Sequence, residues 1–170
     1  MSAGVAASPR VSLRAALATD RGRIEAITRG VALFRDDEVL VALEVFDAAA
    51  AGDSSYTAVV AAGERDEPIG WICWGATPCT LGTYDMYWVA VDPAAQGAGV
   101  GTRLVDEMER RLAGSARMII VETAGRPDYA GTRAFYAARG YREAAVIPDF
   151  YAPGDDKVVY LKLCTPIADS

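Results

Sequence analysis

The chain has no histidine among its 170 residues. That absence excludes Ser-His-Asp and Cys-His nucleophile systems, His-ligated metals and imidazole proton shuttles. Any acid or base must then be a carboxylate, Tyr, Cys, Lys or water. Cysteine is scarce: Cys73, Cys79 and Cys164 form no C-x-x-C pair and are odd in number. They suggest neither a disulfide framework nor a zinc site, and they suit a reducing cytoplasm. Basic residues are outnumbered, 17 against 23 acidic ones, for a formal charge of -6. Such a balance disfavours a sequence-independent grip on phosphate backbones, so no nucleic-acid partner is expected. No run approaches the roughly 18 apolar residues of a membrane span, so no membrane partner is expected either. Met1–Pro9 lacks the basic and apolar regions of a signal peptide and reads as a disordered terminus.

What is present is a globular composition, 52% hydrophobic and 24% charged. It predicts one domain over residues 10–166. Val11–Ala16 reads as a first strand. A helix capped by Thr19 or Asp20 follows, carrying Ile24, Ile27, Val31 and Phe34 and broken by Gly30. A second helix starts at Asp36 or Asp37, with Val39, Leu40, Leu43 and Phe46 on one face. Tyr56–Ala62 and Ile69–Ala76 form a hairpin, and the aromatic and apolar run Tyr84–Val91 suits a strand buried on both faces. Helices over Val100–Leu112 and Thr132–Arg139 alternate with strands at Met118–Val121 and Lys157–Leu163. The fold class is α/β (α+β), a mixed sheet of six to seven strands flanked by about four helices.

The sharpest feature is Gln96-Gly97-Ala98-Gly99-Val100-Gly101-Thr102-Arg103, between the central strand and a strongly amphipathic helix. Glycines allow positive φ and expose successive N–H groups, and the helix adds unpaired donors and its dipole. A phosphate or pyrophosphate is the natural guest. The loop has no Lys followed by Ser or Thr, so it is not a Walker loop. Its G-x-G-x-G is set off from the strand by Asp92-Pro93-Ala94-Ala95, a poor match to a Rossmann turn even with Glu122 near the ribose-acid position.

Tyr87-Trp88-Val89-Ala90-Val91-Asp92-Pro93 followed by Gln96-x-x-Gly99-x-Gly101 resembles the acetyl-coenzyme A signature of the GNAT superfamily of N-acetyltransferases. Thr132-Arg133-Ala134-Phe135-Tyr136 with Gly140-Tyr141 is similar to that family's second motif, with Tyr129 and Thr132 standing where relatives often carry Asn and Ala. The resemblance implies a mostly antiparallel sheet with a splayed central strand. It implies acetyl-CoA as co-substrate and no metal. Backbone groups of Val89 and Val91, with Ala90 between them, would hold the pantetheine arm, and Gln96, Gly97, Ala98, Gly99, Val100, Gly101 and Thr102 the pyrophosphate.

Tyr136 matches the family's general acid, and the Val89 N–H would polarise the thioester carbonyl. Asp85 matches the position of a carboxylate base in some relatives; lying six residues before Val91, it is expected on Val91's face of the strand. Glu122 or water is the rival base. The implied acceptor is a primary amine, cationic for preference, on a small molecule or a peptide N-terminus, and the resemblance leaves a homodimer open. A coenzyme A-binding sensor without turnover and a nucleotide-binding module are the alternatives. Acids in Asp149–Lys157, read as a loop near the acceptor mouth, could meet a cation, and Trp74, Tyr84 and Phe34 are expected to form an aromatic wall.

Overall fold

A computed structural model describes residues 10–164, so the expected disordered terminus, Met1–Pro9, lies outside the described residues. Seven strands form one sheet: β1 (Ser12–Ala15), β2 (Thr57–Ala62), β3 (Pro68–Ala76), β4 (Thr83–Val91), β5 (Met118–Ala124), β6 (Arg142–Ala152) and β7 (Asp155–Leu163). Their spatial order is β1-β2-β3-β4-β5-β7-β6, and every pairing is antiparallel except β4 with β5. Helices α1 (Arg21–Gly30) and α2 (Asp36–Ala50) precede β2, while α3 (Val100–Leu112) and α4 (Ala130–Ala138) follow β4 and β5. Among the described residues no helix is long and apolar enough to cross a membrane.

Two apolar layers sandwich the sheet. On one face α3 buries Val100, Leu104, Val105, Met108 and Leu112 against Val59, Ile72, Met86, Ile119 and Val121. Each large side chain so removed from water contributes about 1.5–3 kcal/mol. On the other face α1 and α2 bury Ile24, Ile27, Val39, Ala42, Leu43 and Phe46 against Val60, Trp71 and Cys73. Ala42, fully buried, takes the place expected of Leu40, which is 56% exposed. Asp20 precedes α1 without capping it. Its carboxylate instead takes Arg14 in a fork of 2.7 and 2.9 Å and accepts the Leu17 N–H at 2.9 Å.

The expected loop Asp149–Lys157 is a hairpin. Residues 149–152 end β6, residues 155–157 open β7, and only Pro153 and Gly154 join them, Gly154 at φ +80°. Most of β6 had no strand signal because it is an edge strand exposed on both faces, interrupted by Pro148, a residue edges tolerate.

Strand β4 carries the main irregularity. Its register against β3 jumps from Trp74↔Met86 to Cys73↔Trp88, leaving Tyr87 as the extra residue of a bulge. Tyr84 and Met86 pack on the α3 face, yet both Tyr87 and Trp88 pack on the α1/α2 face. Pairing with β5 ends at Met86↔Val121, so the C-terminal half of β4 stands apart from its neighbour.

Candidate active site

The parting of β4 from β5 exposes backbone. Asp92 N–H bonds Ile69 O at 2.9 Å, which makes Trp71↔Ala90 a hydrogen-bonded pair and Ile72↔Val89 and Gly70↔Val91 the alternate kind. The N–H and C=O groups of Val89 and Val91 therefore point away from β3, into the gap where β5 is missing. Among the described residues Val91 O meets only the Gln96 side-chain amide, at 3.4 Å. Ala90 lines the same cleft, but its backbone groups are committed to Trp71.

The glycine loop continues from this edge. Gly97 and Gly99 take φ of +79° and +77°, and Gly99 is the left-handed residue from which α3 starts. A Cβ on either would meet nothing within 4 Å, so it is conformation rather than space that calls for glycine. Gln96 N–H reaches Pro93 O and Arg103 N–H bonds Gly99 O. Between them the N–H groups of Gly97, Ala98, Gly99, Val100, Gly101 and Thr102 have no acceptor among the described residues. Six free donors at a helix start fit a pyrophosphate without any basic side chain. A cleft of about 700 Å³ runs along Val89, Val91, the loop, Thr132, Phe135 and Tyr136.

A second cleft, of about 410 Å³, opens beside the first; Val89, Thr132 and Tyr136 line both. Tyr136 is buried, its ring packed on Phe135, Tyr141 and Tyr160 at centroid distances of 5.6, 6.0 and 6.2 Å. Its hydroxyl makes no hydrogen bond to a described residue, and burial pushes the phenol well above its ordinary pKa, keeping it protonated at neutral pH. A buried phenol with an unengaged O–H at the junction of two clefts can donate a proton there.

Asp85 lines the second cleft, where the Thr77 hydroxyl donates to its Oδ2 at 2.7 Å. It does not share Val91's face as period two predicted. The Tyr87 bulge shifts the alternation by one, so Asp85 lies on the α1/α2 side and Val91 on the α3 side. Nearby, Tyr87 has its phenol pushed up by burial and then by Asp85. Glu122, the rival base, lies within β5, which runs past the expected end at Val121; it pairs with Val159 and is tied to Lys157 Nζ at 2.7 Å. The expected aromatic wall is absent as such: Trp74 and Tyr84 pack in the α3-side core, and Phe34 instead meets Trp88 at 6.2 Å in the second cleft.

Arg126, which sequence reasoning did not single out, lines this cleft, as do Tyr151 and Asp155 of the segment 149–157 expected near the acceptor mouth. Burial, then Glu122 and Glu38, raises the Tyr151 phenol to about 12. Tyr129, whose hydroxyl donates to Leu33 O at 3.1 Å, is likewise raised to about 12, by burial first and then Glu38.

A family model described as the acetyltransferase (GNAT) domain matches residues 54–143, which hold β2 through α4 with the splayed strand, the loop and Tyr136. The chain belongs to the GNAT acetyltransferase family. A GNAT-family protein of known structure from Desulfovibrio desulfuricans is 35% identical, with a TM-score of 0.84, covering 91% of this chain and 99% of that one. The chain is also similar to the L-2,4-diaminobutyric acid acetyltransferase of Streptomyces anulatus, 36% identical over 76 residues. That match spans 45% of this chain and less than half, 43%, of the relative. The yncA protein of Salmonella typhimurium, solved with acetyl-CoA, shares the GNAT fold: 18% identity, TM-score 0.72, covering 95% of this chain and 98% of that one.

Proposed function

We propose that this GNAT chain transfers the acetyl group of acetyl-CoA directly to a primary amine, in a ternary complex and without a covalent enzyme intermediate. The observation that carries the reading is the continuity of three features: the freed edge of β4, six unpaired N–H groups from Gly97 to Thr102, and the unengaged phenol of Tyr136 where the two clefts meet. Acetyl-CoA would supply an acyl group already activated as a thioester. The protein therefore needs no nucleophile of its own, and its lack of histidine is no obstacle.

Each residue then has a task. Backbone groups of Val89 and Val91 take the amide-rich arm as an added strand would. The loop donors, with Gln96 beside them, hold the pyrophosphate. Val89 N–H is aimed at the developing oxyanion. Tyr136 gives its proton to the departing thiolate, and Asp85, directly or through water, takes the proton of the ammonium. No metal enters this scheme.

The second cleft favours a small cationic acceptor over a bulky one. Its volume of about 410 Å³ suits a small molecule, and it carries Glu38, Asp85, Glu122 and Asp155 against Arg35 and Arg126. The Streptomyces relative is named for a small diamino acid, an acceptor with two amines, which supports the choice of a small molecule. The free cysteines suit a cytoplasmic enzyme. Thermal shift against acetyl-CoA, NAD and ATP, followed by thiol release over a panel of amines, tests the reading. Stabilisation by acetyl-CoA alone and amine-dependent thiol release are expected. Stabilisation by NAD or ATP instead, or coenzyme binding with no thiol release, would overturn it.

A further inference from the structure

Four buried side-chain polar atoms among the described residues have no hydrogen-bond partner, and three belong to residues lining the acceptor cleft: Asp155 Oδ1, Arg126 Nε and Trp88 Nε1. A fold that leaves such groups unpaired pays a penalty that a bound polar ligand removes. They are of both kinds, an anionic acceptor and two N–H donors, so a purely cationic or purely apolar guest would satisfy only some of them.

The geometry narrows the guest. Asp155 opens β7 right after the two-residue turn, with its side chain only 7% exposed. Arg126 Nε lies 3.7 Å from Asp155 Oδ2 and 3.4 Å from Asp128 Oδ1, close enough for attraction, yet it makes a hydrogen bond to neither. Both groups keep unspent capacity. The guanidinium is also anchored, since Nη2 donates to Leu33 O at 3.2 Å and its carbon stands 5.0 Å from the Tyr129 ring centroid. The remaining acids of the cleft are engaged: Glu38 accepts the Arg35 N–H at 2.7 Å, Asp85 accepts from the Thr77 hydroxyl at 2.7 Å, and Glu122 holds Lys157.

We propose that Asp155 and Arg126 together read the α-amino acid head of the acceptor, so that the amine acetylated is a side-chain amine of a compact diamino acid. This rests on the N-acetyltransferase reading above. An α-amino acid carries an ammonium and a carboxylate on one carbon, and the pair Asp155–Arg126 presents the complementary charges side by side. The ammonium goes to Asp155 Oδ1 and the carboxylate to Arg126 Nε–H, which leaves the second amine for Asp85 and Tyr136. A peptide N-terminus cannot satisfy this pair, because its single amine is the reacting one and no carboxylate shares its carbon.

The test compares kcat/KM of the full chain with acetyl-CoA over a chain-length series of α,ω-diamino acids. For the best of them, three trimmed analogues are added: the methyl ester, the ω-amino acid lacking the α-amine, and the diamine lacking the carboxylate. The free diamino acid should exceed each analogue by about ten- to a hundredfold, the loss of one charge-assisted hydrogen bond. Mass spectrometry should find the acetyl group on the side-chain nitrogen. Asp155→Asn, nearly isosteric, should erase the preference over the analogue lacking the α-amine, while the preference over the diamine, read by Arg126, persists. Equal kcat/KM across the analogues, acetylation at the α-nitrogen, or an unchanged preference in Asp155→Asn would overturn the inference while leaving amine acetylation intact. Coenzyme binding without acetylation of any amine would overturn both readings.

Discussion

Replacing Tyr136 by Phe separates chemistry from structure, because the two depend on different atoms of one side chain. The ring makes the packing contacts, with Phe135, Tyr141 and Tyr160 all within 6.2 Å of its centroid, and phenylalanine preserves them. The hydroxyl has no partner among the described residues, so its removal breaks no intramolecular bond. Stability should change by less than about 0.5 kcal/mol, which for a chain of this size moves Tm by less than about 2 °C. Turnover should fall by about 10²- to 10⁴-fold if the phenol is the general acid, equivalent to about 2.7–5.4 kcal/mol on the barrier. Thiol release at saturating acetyl-CoA gives kcat, and calorimetry gives Tm. Burial raises the phenol, so its acid form persists as pH rises through the ordinary tyrosine value of about 10. The wild-type rate should accordingly show no alkaline fall there. An unchanged kcat would remove Tyr136 as the acid, and a loss of stability beyond about 1.5 kcal/mol would show that the hydroxyl has a structural bond instead.

Gly99→Ala should weaken acetyl-CoA binding and cost about 1–2 kcal/mol of stability through strain at φ +77°, although the added methyl meets nothing; isothermal titration and denaturant unfolding report the two effects. Asp85→Asn should lower kcat/KM chiefly below the acceptor amine's own pKa, with the two pH profiles converging above it; parallel profiles would demote Asp85 to a structural role. Burial pushes the Asp20 carboxyl up, but the Arg14 fork and the Leu17 N–H outweigh it and hold the pKa below the usual value. Its contribution is therefore present above the ordinary carboxylate pKa and lost as pH falls through the lower native one. The stability gap between wild type and Asp20→Asn, measured in urea, should shrink below about pH 4.

Local signals were legible and non-local ones were not. The glycine loop, the amphipathic stripe of α3 and the apolar run of β4 each declare themselves within a few residues, and they placed the elements that line the larger cleft. The stripe of α2 was misread at Leu40 because a buried Ala42 carries little hydrophobic signal of its own. Most of β6 had no alternation to read, since neither face is buried. Arg126 and Asp155 stand 29 positions apart in the sequence, and only the turn after β5 and the hairpin of β6 and β7 bring them to 3.7 Å. No spacing rule could have joined them.

The Tyr87 bulge shows how much one residue can decide. Without it, Asp85 would alternate in phase with Val89 and Val91, and the base candidate would sit on the α3 side of the sheet. The extra residue reverses that parity and places Tyr87 and Trp88 together on the α1/α2 face, beside Asp85 and Phe34. Pairing with β5 also stops just before the bulge, so the same step that turns Asp85, Tyr87 and Trp88 one way frees the backbone of Val89 and Val91 on the other. The two clefts, which the proposed reaction gives to acceptor and coenzyme, thus lie on either side of one strand irregularity, with Tyr136 lining both. A bulge is encoded by how β3 and β4 must pack against two different helix layers at once, and period-two reading of one strand has no access to that constraint.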